Sequence, residues 1–210
     1  MLKLVHGSDA APSPGETGDE LALLARRAGA GEPAAVADLV RAVGPAMCRS
    51  VARVLGPGAG DLDDVMQEAL EGFLDALPSF RYECRVLHFA CRVAVLSALL
   101  DRRRAGLRAR VAQQSDAVAD APDMEAASPA EAAMASQRRA ALVALLDELP
   151  PVQTEVLILH CALGFTIAEI AASTGRPVET VRSRLRLAKE ALRDRIDASR
   201  NLADLLGRRS

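Results

Sequence analysis

The chain has 210 residues, room for one or two small domains, each with a modest core. Half of it is hydrophobic, but alanine and leucine dominate and only five residues are aromatic, which excludes a fold built from β-branched and aromatic strands and predicts an all-α protein. A net charge of −2 excludes a uniformly basic nucleic-acid binder, so any basic surface must be local.

Residues 1–18 are rich in Gly, Pro, Ser and Asp without apolar periodicity, and read as a disordered tail. The opening Met1–His6 stretch is too short for a signal-peptide core, and no apolar run approaches the roughly 18 residues of a bilayer span. A cytoplasmic protein with no membrane insertion is expected. Helical periodicity starts at Asp19 with Leu21, Leu24 and Ala28. Pro33 opens a second helix carrying Val36, Leu39, Val40 and Val43, and Met47–Leu55 continues the pattern until Gly56-Pro57-Gly58. Asp61–Leu77 is amphipathic, with Asp61 as cap and Pro78 as stop. After a connector at Phe80–Arg85, one long helix runs from Val86 to about Ala112 with a basic C-terminal half. Residues 19–112 thus form a first helical domain.

Residues 113–136 hold five acids and no Lys or Arg, the composition of a flexible acidic linker, although Pro129 is also a suitable helix start. Periodicity returns over 137–198, interrupted at Pro150-Pro151, Gly164 and Gly175-Arg176-Pro177, and residues 199–210 read as a tail. This second domain contains the most specific pattern in the chain. Thr166 and Glu169 are spaced as a capping box, and Ile167, Ile170 and Ala171 lie on one face. Gly175 suits a turn at positive φ, and Pro177 opens a helix whose Val178, Val181 and Leu185 lie on its buried side. The other side carries Glu179, Thr180, Arg182, Ser183, Arg184, Arg186 and Lys189. From Arg176 to Arg195 seven basic residues face three acids. That is the chemistry of a helix-turn-helix: the N-terminal part of the second helix reads base edges while flanking cations hold phosphates. Arg176 belongs with this set. The bland alternative is a solvated charged face.

Leu145-Leu-Asp-Glu-Leu-Pro-Pro-Val-Gln-Thr-Glu-Val-Leu followed by this motif resembles region 4 of bacterial RNA polymerase sigma factors, which binds the minus-thirty-five promoter element. Asp61-Leu-Asp-Asp-Val-Met-Gln-Glu-Ala-Leu-Glu-Gly-Phe-Leu resembles region 2, which docks on the β′ clamp of polymerase. With no third region, the chain is similar to the compact extracytoplasmic-function (ECF) sigma factors. The resemblance implies core binding through Asp64, Gln67, Glu68 and Phe73; the first three share one helix face. It also implies partners: core polymerase (β′ clamp and β flap), promoter DNA and an anti-sigma factor. The chain departs from the family in the melting helix, where Val86 stands at the usual tryptophan, Arg92-Val93 at an arginine-asparagine pair and Ser97 at an aspartate. Phe80, Arg81, Tyr82, His88 and Phe89 are candidate replacements there. Arg102, Arg103, Arg104, Arg108 and Arg110 form either a phosphate-contacting run or a solvated helix end. Arg81, Tyr82, His88, Arg92, Arg102 and Arg103 are therefore the expected minus-ten contacts.

Cys48, Cys84, Cys91 and Cys161 sit in apolar helical surroundings and read as reduced, buried thiols. Cys84, His88 and Cys91 at i, i+4 and i+7 leave a zinc or redox role as the minority alternative. No nucleophile–base pair, phosphate loop or carboxylate dyad is present, so neither enzyme chemistry, nor a cofactor, nor a metal is expected. The functional expectation is an initiation factor; the runner-up is a sigma-like regulator that binds polymerase or DNA without efficient promoter melting.

Overall fold

A computed structural model describes residues 16–56, 62–113 and 129–199. The Asp61 cap, residues 1–15, most of the acidic stretch and residues 200–210 lie outside the described residues, as does the side chain of Arg110.

The described residues fold into helices alone, as the composition predicts. The first domain comprises α1 (Glu16–Gly29), α2 (Pro33–Leu55), α3 (Leu62–Ala76) and α4 (Val86–Gln113), with a 3-10 turn at Leu77–Ser79 ahead of the connector. α1 begins before Asp19, and the two stretches on either side of Gly44-Pro45 are one helix. Pro45 removes one backbone donor and crowds the preceding turn, a local cost that packing outweighs here. Leu39, Val43, Met47 and Val51, four apart, are all fully buried and carry one apolar stripe through the proline. α3 presents Val65, Ala69 and Phe73 to the same core, and α4 answers with Val86, Ala90, Ala94, Val95 and Ala98. Alanines on α4 let it lie close against α2, with which it makes the most extensive contact.

The second domain comprises α5 (Pro129–Asp147), α6 (Pro151–Leu157), a π-helical turn at Ile158–Ala162, α7 (Ile167–Thr174) and α8 (Val178–Ala198). α5 takes the Pro129 start. α8 packs mainly on α6 and α7, burying Val181, Leu185 and Ala188 against a core of Val156, Leu159 and Ile170. Val178 is 40% exposed, so the buried stripe of α8 runs 181, 185, 188 and not from 178 as expected; one turn at the helix start overhangs the core. Among the described residues no helix is long and apolar enough to cross a membrane.

The two domains also meet. α4 lies against α6, the π turn and α7, so the long helix of the first domain is the platform on which the second sits.

Candidate nucleic-acid interface

The helix-turn-helix is assembled by local chemistry. Thr166 Oγ1 accepts from the Glu169 amide at 3.2 Å, and Glu169 accepts from the Thr166 amide at 2.8 Å, the reciprocal capping box. These bonds, from the Thr166 backbone first and its hydroxyl second, hold the Glu169 carboxyl below its ordinary value. Gly175 ends α7 in the left-handed conformation, φ 62° and ψ 31°, where a side chain is strained. The chain then turns through Arg176 and Pro177 into α8.

Arg176, Glu179, Arg182, Ser183, Arg186 and Lys189 are exposed on the outer side, and Thr180 and Arg184 are half-buried. Arg182 is paired with Glu179, and Arg186 with Glu190 at 2.9 Å. Arg195, further along, is tied to Glu148 at 2.5 Å and steadies the C-terminal half of the helix.

On the first domain, Asp64, Gln67 and Glu68 are exposed along one face of α3. Gln67 donates to Glu71 at 2.9 Å, and Arg104 reaches Glu68 from α4 at 3.2 Å. Phe73 departs from the expectation. It is fully buried, its ring 5.9 Å from that of Phe89, so it anchors α3 in the core and presents nothing to a partner. Its place on the helix, five residues beyond Glu68, turns it to the opposite side.

The expected minus-ten residues divide. Arg81 is exposed beside Glu83, and Arg103 is half-buried. Tyr82 holds a left-handed φ of 59°, stabilised by the Arg26 guanidinium 4.5 Å over its ring and by Phe80 at 4.7 Å. Phe80 stacks on Phe89 at 4.5 Å, so these aromatics pack on one another. His88, Arg92 and Arg102 turn into the seam between the domains. Arg92 donates to Glu155 at 2.6 Å and to the Ser173 carbonyl at 3.1 Å. Arg102, 8% exposed, pairs with Asp147 at 2.5 Å and donates to the Val143 carbonyl at 3.1 Å, while its Nε finds no partner. His88 lies against Phe165 at 4.4 Å and 3.7 Å from Glu169. Burial holds its imidazole below the ordinary value, against the pull of Glu169. Arg53 donates to the Ala162 carbonyl on the same seam. Beside it opens a cleft of about 650 Å³ lined by Tyr82, Cys84, His88 and Glu169. None of these pairings was expected from the sequence; no spacing rule links residues so far apart in the chain.

The thiols correct the sequence reading in part. Cys91 is buried and Cys48 and Cys84 are half-buried, but Cys161 is exposed at the π turn. Burial raises the Cys84 and Cys91 thiols. Among the described residues no three Cys, His, Asp or Glu side chains group as metal ligands.

A capped helix-turn-helix with a cationic outer face, joined to a second helical domain bearing an acidic stripe, defines a DNA-binding transcription protein. Comparison with known proteins gives the family. The sigma-70 region 2 model matches residues 39–108, and the sigma-70 region 4 model matches residues 139–192. The chain is 31% identical over 165 residues to the ECF RNA polymerase sigma factor ShbA of Streptomyces griseus, covering 76% of this chain and 86% of that one. It is 28% identical over 196 residues to the ECF RNA polymerase sigma factor SigD of Mycobacterium tuberculosis, covering 91% of each. CnrH, solved in complex with the cytosolic domain of CnrY, shares the fold, with a TM-score of 0.51 at 23% identity over 84% of this chain and 97% of that one. The chain belongs to the ECF RNA polymerase sigma factors, which direct transcription initiation at specific promoters.

Proposed function

We propose that this sigma factor grips core polymerase at the β′ clamp through Asp64, Gln67 and Glu68, and reads the minus-thirty-five element through the outer side of α8. In this reading the second domain rests on the β flap, and Arg81, Tyr82, His88, Arg92, Arg102 and Arg103 serve the minus-ten region. The first domain takes in α1–α4 and the second α5–α8, each a little wider than the 19–112 and 137–198 read from the sequence. An anti-sigma protein is its controlling partner, it acts in the cytoplasm, and it performs no chemistry of its own.

The observation that carries the reading is the division of labour on α8. Val181, Leu185 and Ala188 are buried, while Arg182, Arg186 and Lys189 stay exposed, the two arginines held only by ion pairs with Glu179 and Glu190 on the surface of the same helix. Guanidinium groups there suit bidentate contact with guanine edges or phosphates. The acidic stripe on α3 complements a basic helical partner. Reconstitution with core enzyme tests it: run-off transcript from a cognate promoter is expected, with loss on Arg182→Ala/Arg186→Ala.

A second reading, weak promoter melting, is favoured by one observation. Val86, at the position of the family's tryptophan, is 3% exposed and offers no base a stacking surface. Comparing closed with pre-melted templates separates the two: transcript from the pre-melted template alone identifies the melting defect.

A further inference from the structure

The first turn of α8 holds an apolar side chain that the core does not use. Val178 is 40% exposed, while Val181, three residues on, is fully buried. Apolar residues scattered singly over a surface are ordinary. The place of this one is not: the opening turn of the second helix of a helix-turn-helix is the part that meets base edges in the major groove. The other exposed residues of the first two turns, Glu179, Arg182 and Ser183, are all polar. Val178 and Arg182 are four apart and share one side of the helix. Arg182 donates through Nη1 to Glu179, which holds its guanidinium near the tip of the helix. The hydrogens on Nε and Nη2 are then the pair that suits the two acceptors of a guanine edge.

We propose that Val178 is a specificity-determining residue, which covers the 5-methyl group of a thymine in the minus-thirty-five element beside a guanine read by Arg182. The inference rests on the reading of α8 as the recognition helix and deepens it. Thymine's methyl is the apolar group that base edges present in the major groove, so it is the feature a valine can recognise there. Against any other edge the same side chain strips water from donors and acceptors and returns no hydrogen bond. Four residues of helix advance about 6 Å, and base pairs follow one another every ~3.4 Å, so the thymine lies within about two base pairs of the guanine. Periodicity alone hides this role, because it assigns Val178 to the buried stripe. Its exposure one turn beyond the core is what releases it for DNA.

The test uses reconstituted holoenzyme carrying the wild-type chain, Val178→Ala, Val178→Thr or Arg182→Ala/Arg186→Ala. Thermal melting of each free chain establishes that it is folded. Duplexes randomised over the minus-thirty-five region are first selected on the wild type. Anisotropy then compares the selected duplex with one in which deoxyuridine replaces the thymine, a change that removes the 5-methyl group and nothing else. The wild type should select a T·A pair within two base pairs of a G·C pair, and deoxyuridine should weaken its binding about fourfold, the worth of one buried methyl. Val178→Ala should bind the two duplexes nearly equally while still preferring the guanine. Val178→Thr, which keeps a methyl of the same shape, should recover the difference. A selected element without such a thymine, or a deoxyuridine effect as large in Val178→Ala as in the wild type, overturns the assignment. The underlying reading fails separately: it falls if Arg182→Ala/Arg186→Ala binds and selects as the wild type does. Loss of selection in that variant, with a wild type indifferent to the methyl, leaves α8 as the recognition helix and sinks only the role of Val178.

Discussion

Replacing Arg182 and Arg186 with alanine asks whether the outer side of α8 binds DNA or merely solvates the helix. Both guanidinium groups are exposed, 58% and 63% by side chain, and neither packs on the core. Their partners Glu179 and Glu190 lie one turn away on the same helix, and such exposed pairs contribute about 0.3–0.5 kcal/mol each. Alanine is at least as good a helix former as arginine, which offsets part of that loss. The double variant should therefore melt within a few degrees of wild type. DNA binding responds quite differently. Each phosphate contact removed should flatten the slope of log affinity against log salt by about 0.9, so two contacts flatten it by about 1.8. A guanidinium that reads a guanine edge leaves a different trace: roughly 1–3 kcal/mol of lost discrimination at one base pair, with the slope little changed. Anisotropy of holoenzyme on a labelled promoter duplex across a potassium chloride series, repeated with single-base variants, reads both. An unchanged slope together with unchanged discrimination would refute the assignment of α8 as the reading helix. A fall in melting temperature far beyond a few degrees would show instead that the arginines hold the fold.

Phe73→Ala empties a fully buried aromatic site and should destabilise the first domain by about 3–5 kcal/mol in urea unfolding, since the ring supports Phe89 as well as α3. Thr166→Ala removes the acceptor for the Glu169 amide and should cost about 1 kcal/mol by thermal unfolding. Gly175→Ala should cost about 1 kcal/mol through its left-handed backbone alone, because an added Cβ meets nothing within 4 Å, and Gly175→Asn should cost less. His88 faces Glu169, Arg85 and the Phe165 ring, and burial lowers its pKa below 6.5. The folded state thus prefers the neutral imidazole, so stability is constant above about pH 6.5 and declines as pH falls below it. Glu169→Gln removes the raising influence and should move the imidazole's NMR titration to still lower pH.

Much of the fold was legible because its signals are local. Capping box, Gly175 and Pro177 act over a few residues, and each appears where the spacing puts it. Periodicity located the helices, and Leu39, Val43, Met47 and Val51 hold the second of them straight through Pro45. Val178 was misplaced because periodicity gives the phase of a stripe but not where the neighbouring core ends. Phe73 was misassigned for a similar reason: the family pattern marks an aromatic at that position, and burial alone distinguishes an anchor from a contact. The seam was out of reach altogether. Its partners are 63 residues apart for Arg92–Glu155 and 45 for Arg102–Asp147, and a basic residue on a helix face looks the same in sequence whether it meets solvent, phosphate or a carboxylate.

The claim on which the account turns is that α3 carries the polymerase-binding surface. Asp64→Lys reverses one exposed charge beside Gln67 and Glu68 while leaving the buried face of Val65 and Ala69 untouched. Like charges brought together across an interface cost several kcal/mol, so affinity for core polymerase, read by titration of labelled sigma, should fall more than about a hundredfold with the melting temperature unchanged. Core affinity equal to wild type in the folded variant would contradict the account.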